Sequence, residues 1–348
     1  MKHESAFQGL TDSRAECIMR LLLRKAHPVH RPVRIKLPTQ GIRQMGSGNR
    51  SGWPYALSSL ADIQDQKKGV LLDDAIERTF QERWRQAPSK EPFVAVFHHP
   101  QNMPAWFNEK QTLTALFESS WWHKCRKHLR GAIALSDYLA AHLRERLSVP
   151  VMVLKLPTET VPADSQFTWQ AFCDNPKPLI AQVGWYLRNY KGIYQLRAPD
   201  WLTRVHLRQR MPHIDRAYRN TDELSPWRDR PVYPGVDVVE RMCDDVYDYL
   251  LARNLVFLDL FDTSANNAIV ECIVRHTPVV VNNHPAVREY LGSEYPLCFD
   301  TIDDCYAMLN DRGRLWAAHE HLAGMDKSDL TGVAFRDGVM RFVESLSL

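Results

Sequence analysis

The chain has 348 residues, 45% of them hydrophobic and 24% charged, which excludes a disordered chain and leaves room for two domains of ordinary size. No apolar run is as long as a membrane span, and the N-terminal stretch MKHESAFQGLTDSRAEC lacks the apolar core of a secretory signal. The seven cysteines are scattered, with no C-x-x-C, which argues against a zinc site or a disulfide framework and predicts free thiols in a reducing cytoplasm. Net charge is only +3, but residues 1–170 carry 24 basic against 16 acidic side chains and residues 171–348 carry 20 against 25. A basic half suits phosphates, anionic glycans, a peripheral membrane surface or nucleic acid; it is equally a solubilising surface.

In chain order, residues 11–27 predict a helix, with Cys17, Ile18, Leu21 and Leu22 at helical spacing. Val33 to Leu37 predicts a first strand. The Gly- and Ser-rich stretch Gly46 to Gly52 is a flexible loop, and Tyr55 to Ile63 begins a helix. A glycine loop there lets backbone approach a ligand, which makes Ser51, Gly52 and Trp53 acceptor-side candidates; a mobile connector is the alternative. It is not a P-loop, because no Gly-Lys-Ser/Thr follows. Phe93 to Phe97 is a buried strand ending in His98-His99-Pro100. Adjacent strand residues point opposite ways, so one of the two histidines at most faces a cleft. Residues 110–130 contain helix. Ile133 to Leu135 is a short strand, Ser136 caps the helix Asp137 to Arg146, and Val151 to Leu154 is a further strand. This alternation predicts a parallel sheet.

The polar segment Asp164 to Pro178 reads as an interdomain linker, dividing the chain into residues 1–170 and 171–348. A second alternation starts at Leu179 to Val183. Beyond its end at Gly184 lie Arg188 and Lys191, suited to a diphosphate, the first bidentately and the second as a point charge. Met211 to Tyr233 reads as irregular, since residues 211–234 hold four prolines. Tyr247 to Arg253 is helix. Leu255 to Leu260 is a buried strand, Asp262 to Asn267 a polar turn, Ala268 to Arg275 a helix, and Val279 to Val281 a second buried strand. This is one βαβ unit, whose turn offers free helix-start amides as an anion site, with Ser264 or Asn266 as cap. Glu271 is polar in an otherwise apolar helix. Asp303 to Leu348 reads as helical. Nothing in the spacing of His, Cys, Asp and Glu marks a metal site.

With these residues in order, the chain resembles the GT-B glycosyltransferases, especially the retaining ones. Their donor half carries a Glu-x7-Glu motif across a strand-to-helix turn, followed by Gly-Thr-Pro-Val-Val and a Pro-Glu pair. Glu271 matches the second Glu, and His276-Thr277-Pro278-Val279-Val280 the following element; Pro285 and Glu289 sit near the last. The first Glu is replaced by Thr263, with Asp262 beside it. Gly184, Lys191 and Gly192 are similar to the family's first donor-domain element, with Trp185 in place of its Arg and the Lys-Gly pair one position late.

The resemblance implies two Rossmann-like domains facing across a cleft and transfer of a sugar from a nucleotide-sugar donor to a hydroxyl. Glu271 is expected to hold the ribose. The amides of Asn266 and Asn267, with Gly184, Ser264, Arg188 and Lys191, are expected at the diphosphate, without a metal or other cofactor. Thr263 or Asp262 is expected at the sugar, and His98 or His99 as base if the reaction inverts. The last helix is expected to cross back to the first domain. The acceptor is a glycan, a lipid-linked sugar or a hydroxymethylated DNA base. A nucleotide-sugar epimerase and a non-catalytic nucleotide-sugar or nucleic-acid binding protein are the rival readings.

Overall fold

Short apolar runs followed by polar turns become the strands of two parallel sheets. The computed structural model describes residues 34–38, 52–82, 90–240 and 242–346. The expected helix over 11–27, the glycines before Gly52, and Ser51 lie outside these residues. The first sheet runs in sequential order β1 (Ile35–Lys36), β2 (Val70–Asp73), β3 (Phe93–Phe97), β4 (Leu129–Ala134) and β5 (Val151–Val153). Every neighbouring pair is parallel. All five residues of β3 are buried, as expected for a central strand covered on both faces. The core beneath it joins Phe93, Ala95 and Phe97 to Leu116, Trp122, Leu139 and Leu143.

The second sheet contains β6 (Leu179–Gln182), β7 (Thr203–Leu207), β8 (Val236–Val239), β9 (Leu255–Leu258), β10 (Val279–Asn282) and β11 (Cys298–Phe299). Its order is β11-β10-β9-β6-β7-β8, again parallel throughout. The chain moves outward from β6 to β8, then returns to the other side of β6 and moves outward again. β6 and β9 therefore flank the topological switch point, whose crevice at the strands' carboxyl ends is where ligands enter such sheets.

Several expectations are corrected. Met211 to Tyr233 is not irregular: Pro212 opens a helix, Pro212–Leu224, at the one position where the missing amide costs nothing. Strands β2, β7 and β8 and the helix Ile76–Glu82 are additional elements, which no sequence signal above marks. The segment Asp164 to Pro178 joins the two sheets and is itself packed: it contains the helix Trp169–Cys173, buries Phe167 and Phe172, and the Phe167 amide donates to the Arg275 carbonyl at 2.7 Å. Asn266, and not Ser264, caps the helix Asn267–Arg275, accepting from the Ala268 amide at 3.1 Å.

Side chains that follow the second sheet's strands reach the first half's main chain. Glu289, on the helix Pro285–Leu291, accepts from the amides of Asp137 and Tyr138, both at 2.6 Å, and so adds a charged cap to the helix Asp137–Arg146. Tyr290 accepts from the Leu156 amide at 2.9 Å and donates to the Leu135 carbonyl at 2.7 Å. The helix Gly332–Ser345 returns to the first sheet. A β-carbon at its Gly338 would lie 2.4 Å from Leu154, and one at Gly131 of β4 would lie 2.7 Å from Phe342.

Replacing Tyr290 with Phe strands two buried main-chain groups without changing the packed ring. We expect Tyr290→Phe to lower stability by about 2 kcal/mol, seen as a lower urea midpoint at unchanged slope. An unaltered midpoint would mean that this contact does not hold the halves together.

Candidate functional site

The carboxyl ends of β6 and β9 are stitched together beyond the sheet. The Asn189 amide donates to the Asp259 carbonyl at 2.7 Å, and the Phe261 amide to the Leu187 carbonyl at 2.9 Å. Gly184 turns the chain out of β6 with φ of 71°, and Leu187 also adopts a left-handed conformation, φ 53°. A β-carbon at 184 would sit 1.6 Å from Arg188 Nη1, so glycine there is what lets the guanidinium fold back over the turn. Arg188 Nη2 donates to Asn266 Oδ1 at 2.8 Å, while its Nε is buried without a hydrogen-bond partner among the described residues.

Around this guanidinium the second sheet gathers Gly184, Asn266, the helix start at Asn267 and Glu271. Glu271 is 4% exposed and accepts from the Tyr247 hydroxyl at 2.8 Å. Burial pushes its carboxyl pKa up, opposed by the Tyr247 hydrogen bond and by Arg275 and Arg188. Burial likewise pulls the Arg188 guanidinium down, against the charge of Glu271. Arg188 and the start of the helix Asn267–Arg275 bring two positive ends together, separated by one amide oxygen. An anion fits there. Tyr247 was not singled out in the sequence; the paired acids Asp244 and Asp245 in the first turn of its helix, Asp244–Leu251, were the available signal.

The structure does not bring Lys191 to this group. Its Nζ pairs with Asp222 at 2.7 Å on the helix Pro212–Leu224. Ser264 donates to the His98 carbonyl of the first half. Thr263 turns its hydroxyl into its own loop, toward the Ala265 carbonyl at 3.1 Å. Asp262 is 1% exposed and surrounded by donors: Oδ1 accepts from His284 Nε2 at 2.8 Å and from the Thr263 amide at 2.8 Å, and Oδ2 from the Asn102 amide at 2.8 Å. The Ala286 amide donates to His284 Nδ1 at 3.2 Å, which puts the ring proton on Nε2, facing Asp262. With those lone pairs engaged, Asp262 orders the turn and is not set to attack a substrate.

On the first half, β3 ends at the His98–Asn102 turn. His98 Nε2 lies 2.8 Å from the Asp74 carbonyl, an acceptor only, so Nε2 carries the proton and Nδ1 the lone pair. Burial lowers the His98 pKa and keeps the ring neutral. His99 Nδ1 lies 2.6 Å from the Gln111 carbonyl, which leaves its basic lone pair on Nε2. Trp53 packs edge-on against His98 at 4.3 Å, with Phe335 of the returning helix 5.7 Å away. Gly52 starts the Trp53 helix with φ of 56°. Trp53 thus builds the wall that holds His98. Between the halves stands an apolar cluster that includes Met103, Trp106, Phe107, Trp185, Tyr186 and Phe261, tied by Asn220 donating to the Trp106 carbonyl at 2.7 Å.

Among the described residues, no group of three His, Cys, Asp or Glu side chains is placed to hold a metal ion. None of the described helices is long and apolar enough to cross a membrane.

No family model matches the chain, and neither does any curated protein. Solved structures do. Anabaena HepE, in complex with UDP and glucose, matches with TM-score 0.55 and 12% identity over 80% of this chain and 78% of that one. Sucrose-phosphate synthase from Thermosynechococcus elongatus matches with TM-score 0.54 and 11% identity, covering 79% and 73%. The UDP-forming α,α-trehalose-phosphate synthase from Burkholderia vietnamiensis gives 0.53 and 12%, covering 84% and 78%. At these identities the likeness is one of fold: this chain has the GT-B fold, two Rossmann-like halves facing each other.

Beneath the site, Asp259 ends the β9 segment and is 1% exposed, with Asn189 Nδ2 at 2.8 Å and Arg230 at 2.9 Å. Burial nevertheless raises its pKa to about 6. An unfolded Asp titrates near ~3.9, so the native state holds this proton more tightly. Its contribution to stability is complete below about pH 4 and is lost as pH rises through about 6. Wild type should therefore lose stability relative to Asp259→Asn across that window and track it above; parallel stability curves from pH 4 to 7 would disprove the assignment.

Proposed function

We propose that the chain is a glycosyltransferase that moves a sugar from a nucleotide-sugar donor to an acceptor hydroxyl. The observation that carries this is the meeting of Arg188, with its unpartnered Nε, the Asn266-capped helix start and Glu271 at the β6–β9 switch point of a GT-B fold. UDP is bound in the HepE structure to which this chain is similar, which supports a nucleoside diphosphate as the ligand.

In this reading the diphosphate lies against Arg188 and the amides of Asn266 and Asn267. Their positive ends stabilise the charge that develops as the sugar–phosphate bond breaks. No metal is assigned a part. Glu271 turns from Tyr247 to the ribose hydroxyls. The acceptor hydroxyl enters from the first half, against His98, His99 and Trp53, and its oxygen bonds to the anomeric carbon. Its proton passes to the leaving phosphate oxygen, so transfer proceeds with retention and without a protein base. One feature supports retention: Asp262 is held by three donors and is not free to act on the acceptor. The thiols of Cys125, Cys173, Cys243, Cys272, Cys298 and Cys305 are unpaired, which supports a reducing compartment such as the cytoplasm.

A thermal-shift screen against UDP-, GDP-, ADP- and TDP-glucose should single out one nucleotide by several degrees, because ligand bound only to the native state raises its stability. Glu271→Ala should weaken that binding at least about tenfold, the loss of a hydrogen bond to a charged group, and abolish transfer. Full activity in Glu271→Ala would sink the reading.

A further inference from the structure

Glu77 lies on the helix Ile76–Glu82 and is 2% exposed. Its Oε1 accepts from the amides of His98 and His99, each at 2.8 Å. These two bonds fix the turn at the end of β3, whose His98 carbonyl in turn receives Ser264 of the other half. Its Oε2 is buried and has no hydrogen-bond partner among the described residues. A carboxylate oxygen taken out of water without a donor is destabilising, and native structures seldom keep one without a use.

The neighbouring acids differ in this respect. Asp73 accepts from Thr79 at 2.8 Å and from the Ala75 amide at 3.3 Å, and Asp74 faces the Trp53 indole N–H at 3.4 Å. Oε1 holds the carboxylate on the turn whose His98 carbonyl meets Ser264 of the second half and whose His99 ring meets the half-buried Tyr186. Tyr186 does not supply the missing donor: its hydroxyl faces Gln111 Oε1 at 3.5 Å and Met103 Sδ at 3.6 Å, and its ring lies 5.5 Å from that of His99. The free oxygen therefore sits where the two halves meet, on the acceptor side, beside the turn that both histidines occupy.

We propose that Glu77 Oε2 accepts a hydrogen bond from a hydroxyl of the acceptor sugar, while Oε1 holds the His98–His99 turn in place. This rests on the glycosyltransferase reading. A fixed negative charge at this subsite selects a neutral, hydroxyl-bearing acceptor and repels one with phosphate or carboxylate at that position. Glu77 is thus a specificity-determining contact as well as a positioning residue.

Glu77→Gln separates the two roles, because the amide oxygen still accepts from both backbone amides while Oε2 becomes an N–H donor. The donor would be whichever of UDP-, GDP-, ADP- or TDP-glucose stabilises the wild type most, and the acceptors a pool of glucose, galactose, mannose and maltose, with products read by mass spectrometry. We expect the variant to melt within about 2 °C of wild type and to bind the donor within about threefold. Its KM for the sugar that the wild type uses should rise about 10- to 100-fold, with the smaller change in kcat. An unchanged KM overturns the inference and leaves the glycosyltransferase reading standing. So does a variant that fails to fold, since that would reveal a structural partner for Oε2. A wild type that binds a donor but transfers to none of the sugars overturns the inference alone; one that binds none of the donors overturns both.

Discussion

The site is organised by two positive ends brought into one buried place. The start of the helix Asn267–Arg275 and the Arg188 guanidinium converge on a single neutral oxygen, Asn266 Oδ1. One amide oxygen accepts a hydrogen bond from each but carries no charge, so the field of both remains unbalanced. Glu271 relieves part of it, and burial raises the proton affinity of that carboxyl. The local turn geometry follows from this arrangement. Gly184 has no side chain because the guanidinium occupies that space, and Leu187 accepts a left-handed backbone to bring Arg188 around. A dianionic diphosphate is the kind of group that balances such a pair.

The second constraint is the seam between the halves. Ser264, Asp262, Glu289, Tyr290 and Asn220 all belong to the second half, and each addresses a main-chain group of the first. Main-chain amides and carbonyls are present whatever the residue, so the seam places few demands on the first half's side chains. It also means that the turn at residues 262–264 and the turn at residues 98–102 are hydrogen-bonded to each other directly.

The βαβ unit from β9 to β10 is legible because its signals are local. The all-apolar β9, the polar turn after it, the capped helix and the Thr277-Pro278 stop each follow from residues within a few positions of one another. Residues 211–234 are less legible. Their four prolines point to irregular chain, yet Pro212 sits where a helix tolerates it, and the buried Ile214, Ala217, Tyr218 and Thr221 follow at helical spacing behind it. Lys191, beside the strand end, suits a diphosphate on spacing alone. The positive charge has another partner, Asp222, thirty-one positions along the chain, which spacing around the Lys-Gly pair could not reveal.

The alternation of strands and helices into parallel sheets, and the position of the polar turn and capped helix after β9, follow from backbone hydrogen bonding and apolar periodicity, which are properties of neighbouring residues. Which polar groups remain available for a ligand is set by long-range packing. Asp262 is enclosed by His284, Thr263 and Asn102; Ser264 is drawn across to His98; and Glu77, unremarked in the sequence, holds an oxygen without a donor. Whether a polar atom is satisfied depends on everything packed around it, including residues more than a hundred positions away, and no local pattern carries that information.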